Sequence, residues 1–139
     1  MNKLTYYTSM FILFSATCFL GLLFYWYLYP YEPMEMKQPM IVLNKTVLVG
    51  KTLVYEAEYN KYTDITPKIS RVLVDGVVHA LPAIETINSA GYHKQLIYSL
   101  VIPNIPSGSY YLKCRACYQM NPVREICVDY QSEEFEVIN

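Results

Sequence analysis

Leu53-Val54-Tyr55-Glu56-Ala57-Glu58-Tyr59-Asn60 carries an apolar residue at every second position, with polar residues between them from Glu56 onward. Side chains of a β-strand point to opposite faces in turn. Leu53, Tyr55, Ala57 and Tyr59 therefore share an apolar face, while Val54, Glu56, Glu58 and Asn60 share a wet one. The same period recurs from Met40 onward, where no segment carries a helical period. Leu96, Tyr98, Leu100 and Ile102 form a second inward row, closed by Pro103 and Pro106. Tyr110, Leu112, Cys114, Ala116 and Tyr118 form a third, and Ile126, Val128 and Tyr130 a fourth. Phe135 and Val137 follow after a change of parity near Ser132, which requires a bulge or a break between strands. Arg71 to Val74, Asp75-Gly76 and Val77 to His79 read as a hairpin with a two-residue turn, because Asp-Gly accepts positive φ. Seven or eight short strands in about 100 residues, separated by turn signals, predict a two-sheet β-sandwich over residues 40–139.

Upstream of that domain, Tyr6 to Tyr29 carries no charged side chain. At ~1.5 Å per residue such a helix crosses the ~30 Å hydrocarbon core of a bilayer. Tyr25-Trp26-Tyr27-Leu28-Tyr29 ends it with the rings that gather at a membrane interface. Residues 6–29 are read as a single-pass transmembrane helix, a signal-anchor, and residues 1–5 as a short cytoplasmic tail. Lys3 precedes the span, whereas Glu32 and Glu35 follow it before Lys37. The positive-inside bias then keeps the N-terminus in the cytoplasm and sends the C-terminal domain outside, to a bacterial periplasm or a cell surface. A cleaved signal peptide is the competing reading. The apolar run continues about ten residues past Ser15-Ala16-Thr17-Cys18, longer than a signal peptide requires. Residues 30–39, with Pro30, Pro33 and Pro39, read as a semi-stiff linker.

Pro106-Ser107-Gly108-Ser109-Tyr110 resembles the approach to strand F of immunoglobulin-like domains, where a turn and a small residue precede an inward-facing Tyr. Two positions after Tyr110 stands Leu112 rather than Cys, and the domain has no Trp, so the antibody-type core pair is absent. The resemblance implies an immunoglobulin-like or fibronectin-like sandwich over residues 40–139. The run Pro106 to Val137, with its Gly-x-Tyr, Tyr-x-x-Asn-Pro and Glu-Phe-x-Val elements, is also similar to small membrane-anchored proteins of tailed phages. That likeness implies no activity.

Cys114-Arg115-Ala116-Cys117 is a Cys-x-x-Cys within a strand, so its two side chains leave by opposite faces. Cys114 shares the apolar row with Leu112 and Ala116, and Cys117 the wet row with Lys113, Arg115 and Gln119. If Asn121-Pro122-Val123 forms a turn, Cys117 faces Cys127, Arg115 faces Asp129 and Tyr118 faces Ile126, each a favourable cross-strand pair. A Cys117–Cys127 disulfide persists outside the cytoplasm. The alternative is a metal or thiol-redox site built from Cys114, Cys117, Cys127 and His93.

Other chemistry is sparse. Eleven basic and twelve acidic residues, scattered singly, give a net charge of -1. No basic stripe suits nucleic acid. There is no His-x-x-x-His, Gly-x-Ser-x-Gly or phosphate loop, so no catalytic residue, cofactor or small-molecule substrate is assigned. Asn44-Lys45-Thr46 fits an N-glycosylation acceptor. The longer connections, 60–67 and 83–94, carry Tyr62, Asp64, Asn88, Tyr92 and His93 among small polar residues, a composition suited to protein contact. Unpaired sheet edges are a second candidate. The sequence thus points to a non-enzymatic, membrane-anchored binding or assembly module. An accessory subunit of a membrane or phage-encoded envelope complex fits, with a protein partner that the residues do not name.

Overall fold

The computed structural model describes residues 2–28 and 31–139, the side chain of Ser99 excepted. Helix α1 (Lys3–Leu28) buries none of its residues. It begins at Lys3 rather than Tyr6, and Tyr29 and Pro30 lie outside the described residues. Its 26 residues are long and apolar enough to cross a membrane, as an anchor or as a signal sequence. The hydroxyls of Thr8 and Thr17 donate to the carbonyls of Leu4 (2.8 Å) and Leu13 (2.9 Å). Such back-bonding satisfies the helix's own polar side chains without water.

Ten strand segments follow: β1 (Met34–Met36), β2 (Ile41–Val42), β3 (Thr46–Leu48), β4 (Thr52–Lys61), β5 (Lys68–Val74), β6 (Val78–Glu85), β7 (Gly91–Val101), β8 (Gly108–Asn121), β9 (Arg124–Gln131) and β10 (Phe135–Ile138). They form two sheets. In the smaller, β1 and β2 lie one after the other along one edge of β4, with β7 along the other. In the larger, β8 pairs with β5 on one side and with β9 and then β10 on the other. β6 lies beyond β5, and β3 runs parallel to β10 at the opposite edge. The N-terminal edge of the domain therefore passes from one sheet to the other between β2 and β3.

The core is where alternation puts it. β4 buries every second residue from Leu53 to Lys61, and β8 does so from Tyr110 to Tyr118. Tyr110 is fully buried, and its hydroxyl donates to the Pro106 carbonyl at 2.9 Å, tying the strand to the turn before it. The parity change at Ser132 marks where the edge of β8 passes from β9 to β10. There the Leu112 N–H donates to Ser132 Oγ (2.9 Å) and the Ser132 N–H to the Leu112 carbonyl (2.8 Å), filling the gap in the ladder.

Four expectations are corrected. The linker read over residues 30–39 contains β1. Met34 is buried, the Tyr118 hydroxyl lies 3.4 Å from its Sδ, and the Tyr62 N–H donates to the Pro33 carbonyl. The domain thus begins well before Met40. The Asp75-Gly76 hairpin turn has three residues, since Val74 pairs with Val78. Only Gly76 adopts positive φ there, and Asp75 Oδ1 accepts the Val77 N–H at 3.1 Å, in place of the two positive-φ residues of a type I′ turn. The loop read over residues 83–94 is shorter, because β6 reaches Glu85 and β7 starts at Gly91, placing Tyr92 and His93 on a strand. Finally, Leu96 and Tyr98 do not join Leu100 and Ile102 inside. Leu53 pairs with Leu100 but Tyr55 with Ile97, so β7 carries an extra residue and its parity inverts at this bulge.

Loss of the fully buried Leu73 side chain in Leu73→Ala is expected to cost about 2–5 kcal/mol. Tyr110→Phe, which keeps the ring but removes the bond to Pro106, is expected to cost about 1 kcal/mol. Urea unfolding of the detergent-solubilised chain, followed by circular dichroism, checks both; equal losses would contradict this division between packing and the hydrogen bond.

Candidate functional site

The β8–β9 hairpin adopts the register that its residues imply. Cys117 and Cys127 are opposite and disulfide-bonded, with Cα atoms 4.0 Å apart. Arg115 faces Asp129 and donates to both carboxylate oxygens, Nε to Oδ1 at 2.7 Å and Nη2 to Oδ2 at 2.9 Å. The hydrogen bond from Arg115 holds the Asp129 pKa below the usual carboxylate range. Both partners are exposed, so the pair fixes geometry more than it stabilises. Cys114 leaves by the opposite face into the core, between Arg71 and Tyr130 in the strand register. Burial pushes its thiol pKa up to about 12, which leaves almost no thiolate near neutral pH.

The grouping of Cys114, Cys117, Cys127 and His93 is not assembled. Cys117 and Cys127 spend their sulfurs on each other, Cys114 is on the far face of its strand, and His93 belongs to the other sheet. Among the described residues, Glu125 joins Cys117 and Cys127 within metal-ligand reach, but bonded sulfurs are poor metal donors.

Tyr62, Asp64, Asn88, Tyr92 and His93 do gather at one end of the sandwich, and most of their polar atoms are engaged within it. The Ala90 N–H donates to Asp64 Oδ1 at 2.7 Å, clamping the loop after β4 to the loop before β7. Asn88 Nδ2 donates to the Tyr59 hydroxyl (2.7 Å) and to Gln95 Oε1 (3.2 Å), while the buried Lys61 ammonium donates to the Asn88 carbonyl. Desolvation lowers the Lys61 pKa, and nearby Asp64 opposes that shift. His93 Nε2 lies 2.8 Å from the Ser89 carbonyl, and the ring packs 5.3 Å from that of Tyr59. The Tyr62 hydroxyl donates to Glu35 (2.8 Å) and the Tyr92 hydroxyl to Glu58 (3.0 Å). The hydrogen bond from Tyr62 is the main cause of a lowered Glu35 pKa, and the bond to Glu58 of a raised Tyr92 pKa. This network knits the end of the sandwich nearest α1, as the Asn121 Nδ2 to Trp26 carbonyl contact (3.2 Å) shows.

A different surface remains open. With the bulge inverting its parity, β7 presents Tyr92, Leu96 and Tyr98 outward, 58%, 43% and 60% exposed. The neighbouring Glu56 and Glu58 of β4 lie 3.3 and 3.9 Å from Lys94 Nζ. β7 pairs only with β4, so its other edge is unpaired among the described residues. Sequence reasoning put Leu96 and Tyr98 in the core. The signal against it was Lys94, which shares their alternation.

No known protein family and no curated protein matches the chain. Among solved structures, it is similar to the Pseudomonas fluorescens alkylpurine DNA glycosylase AlkC bound to DNA containing an abasic site analog. Identity is 12% over 77% of this chain and 31% of that one, with a TM-score of 0.38. The chain thus spans about a third of that protein's length (31%), and at this level the likeness carries no argument about fold or function.

Alkylation of the full chain without reductant, after denaturation, is expected to modify two thiols, Cys18 and Cys114, and to leave a Cys117–Cys127 crosslinked peptide in the digest. In the folded chain at about pH 8, Cys114 is expected to resist alkylation, since a raised pKa keeps it a protonated thiol. Rapid modification of Cys114 in the folded chain would contradict its placement in the core.

Proposed function

We propose that this chain is a single-pass membrane protein with its N-terminus inside. It presents an immunoglobulin-like sandwich outside the cytoplasm as a non-enzymatic binding or assembly module. Three features support the immunoglobulin-like reading: two facing sheets, an N-terminal edge that changes sheets, and a Tyr corner at Tyr110 and Pro106. The apolar helix, separated from β1 by the five residues 29–33, supports an anchor at the membrane surface. The role of accessory subunit in a membrane or phage-encoded envelope complex is compatible with these features.

The observation that carries a binding role is the outward row of β7. A strand with exposed Leu96 and Tyr98, flanked by charged residues and unpaired along one edge among the described residues, offers an apolar contact with a polar rim. Among the described residues nothing comparable supports catalysis. The tyrosines shifted most by burial, Tyr55, Tyr118 and Tyr130, move up and away from neutrality.

Photo-crosslinking in native membranes tests this reading. A photoreactive residue at position 96 or 98 is expected to give discrete adducts with a protein partner, whereas one at Val77, on the hairpin at the opposite end, is not. Leu96→Asp combined with the probe at 98 is expected to abolish the adducts without unfolding the domain. Absence of adducts at both positions would remove β7 as the contact face.

A further inference from the structure

The tip of the β8–β9 hairpin lies where the domain meets α1. Val123 shares an apolar recess with Leu20, Leu23, Phe24 and Tyr27. On its other side, Asn121 and Arg124 lie with Trp26 and Tyr31 around a second recess. Leu23 and Leu20 stand five and eight residues before the helix end at Leu28. At ~1.5 Å per residue, the tip reaches back about 8 to 12 Å along the helix. A segment that passes the Tyr25-Trp26-Tyr27 belt of a membrane-crossing helix enters the interfacial layer.

The polar groups of the tip are suited to that environment because they are engaged locally. Gln119 Nε2 donates to the Asn121 carbonyl (2.7 Å), and the Val123 N–H donates to Asn121 Oδ1 (3.1 Å). Asn121 Nδ2 donates to the Trp26 carbonyl, one of the last helix carbonyls, which lack intrahelical partners. Pro122 has no N–H to satisfy. What the tip shows outward is Pro122 and Val123, the latter 48% exposed. Behind it, the Cys117–Cys127 bond and the Arg115–Asp129 pair hold the two strands together. Ile87, on a loop at the same end of the sandwich, is 89% exposed.

We infer that the Asn121–Arg124 tip is a lipid-contacting prong. Pro122 and Val123 enter the interfacial layer of the bilayer and, with α1, hold the domain at a fixed tilt on the membrane. The inference rests on the membrane-crossing role proposed for α1. It goes beyond that role in giving the folded domain a second contact with lipid. A protein partner fits the tip less well, because the Gln119 and Asn121 amides are engaged within the tip or on α1 and the exposed residues there, Pro122 and Val123, are small and apolar.

Depth-dependent quenching of the full chain, reconstituted in phosphatidylcholine–phosphatidylglycerol vesicles containing 5-doxyl lipid, tests the inference. Val123→Trp and Val77→Trp are each placed in a Trp26→Phe background, which keeps the carbonyl that Asn121 uses. Emission from Val123→Trp is expected to fall about twofold or more with doxyl lipid and to resist aqueous acrylamide, with the reverse for Val77→Trp. If Trp26 of the unsubstituted chain is quenched by lipid while Val123→Trp is quenched only by acrylamide, the anchor stands and the prong is overturned. Shielding of Val123→Trp from both quenchers would place the tip against protein, including a second copy, and also overturn it. If neither Trp26 nor Val123→Trp responds to lipid, the anchor reading fails and takes the prong with it.

Discussion

The 14-residue strand β8 is the constraint on which the larger sheet depends. It pairs with β5 along one edge and with β9 and β10 along the other, so each of those strands is placed by its register. Its inward row, Tyr110, Leu112, Cys114, Ala116 and Tyr118, is almost wholly removed from water and packs against the row from β4. Hydrophobic burial of this kind favours one register, because a slip by one residue would turn the whole row outward. The outward row of the same strand carries Arg115 and Cys117, so core packing and the disulfide depend on one alternation.

Much of this was legible before any coordinates, for identifiable physical reasons. The helix announces itself through two dozen uncharged residues, and β4 through apolar residues at every second position from Leu53 to Tyr59. The Cys117–Cys127 pairing was readable because a turn at Asn121-Pro122-Val123 and the parity of β8 and β9 leave little freedom. The parity change at Ser132 was readable as a break, though not the hydrogen bonds by which Ser132 fills it.

Other features depended on contacts between distant segments. Whether Leu96 and Tyr98 face in or out turns on one extra residue in β7, a choice made by its pairing with β4 rather than by local propensity. Met34-Glu35-Met36 reads as a linker because prolines flank it, yet Met34 reaches Tyr118 from 84 residues away in sequence. The candidate loop residues lie together at one end, but nothing local reveals that Asp64 bonds to Ala90 or that Asn88 bonds to Tyr59. The same chain path brings that end, rather than the opposite one, to α1.

These relations turn the sandwich around relative to a simple reading of exposed loops as the contact surface. The loop end lies beside α1, leaving the sheet faces and the β7 edge directed elsewhere. The account stands or falls on α1 remaining attached and crossing the bilayer. The most direct test is intact mass of the chain from carbonate-washed membranes, combined with protease added from outside. The account predicts an uncleaved N-terminus in the membrane fraction and loss of the domain, but not of α1, from membranes treated with external protease. A shortened chain released from membranes, with α1 cut away, would contradict it.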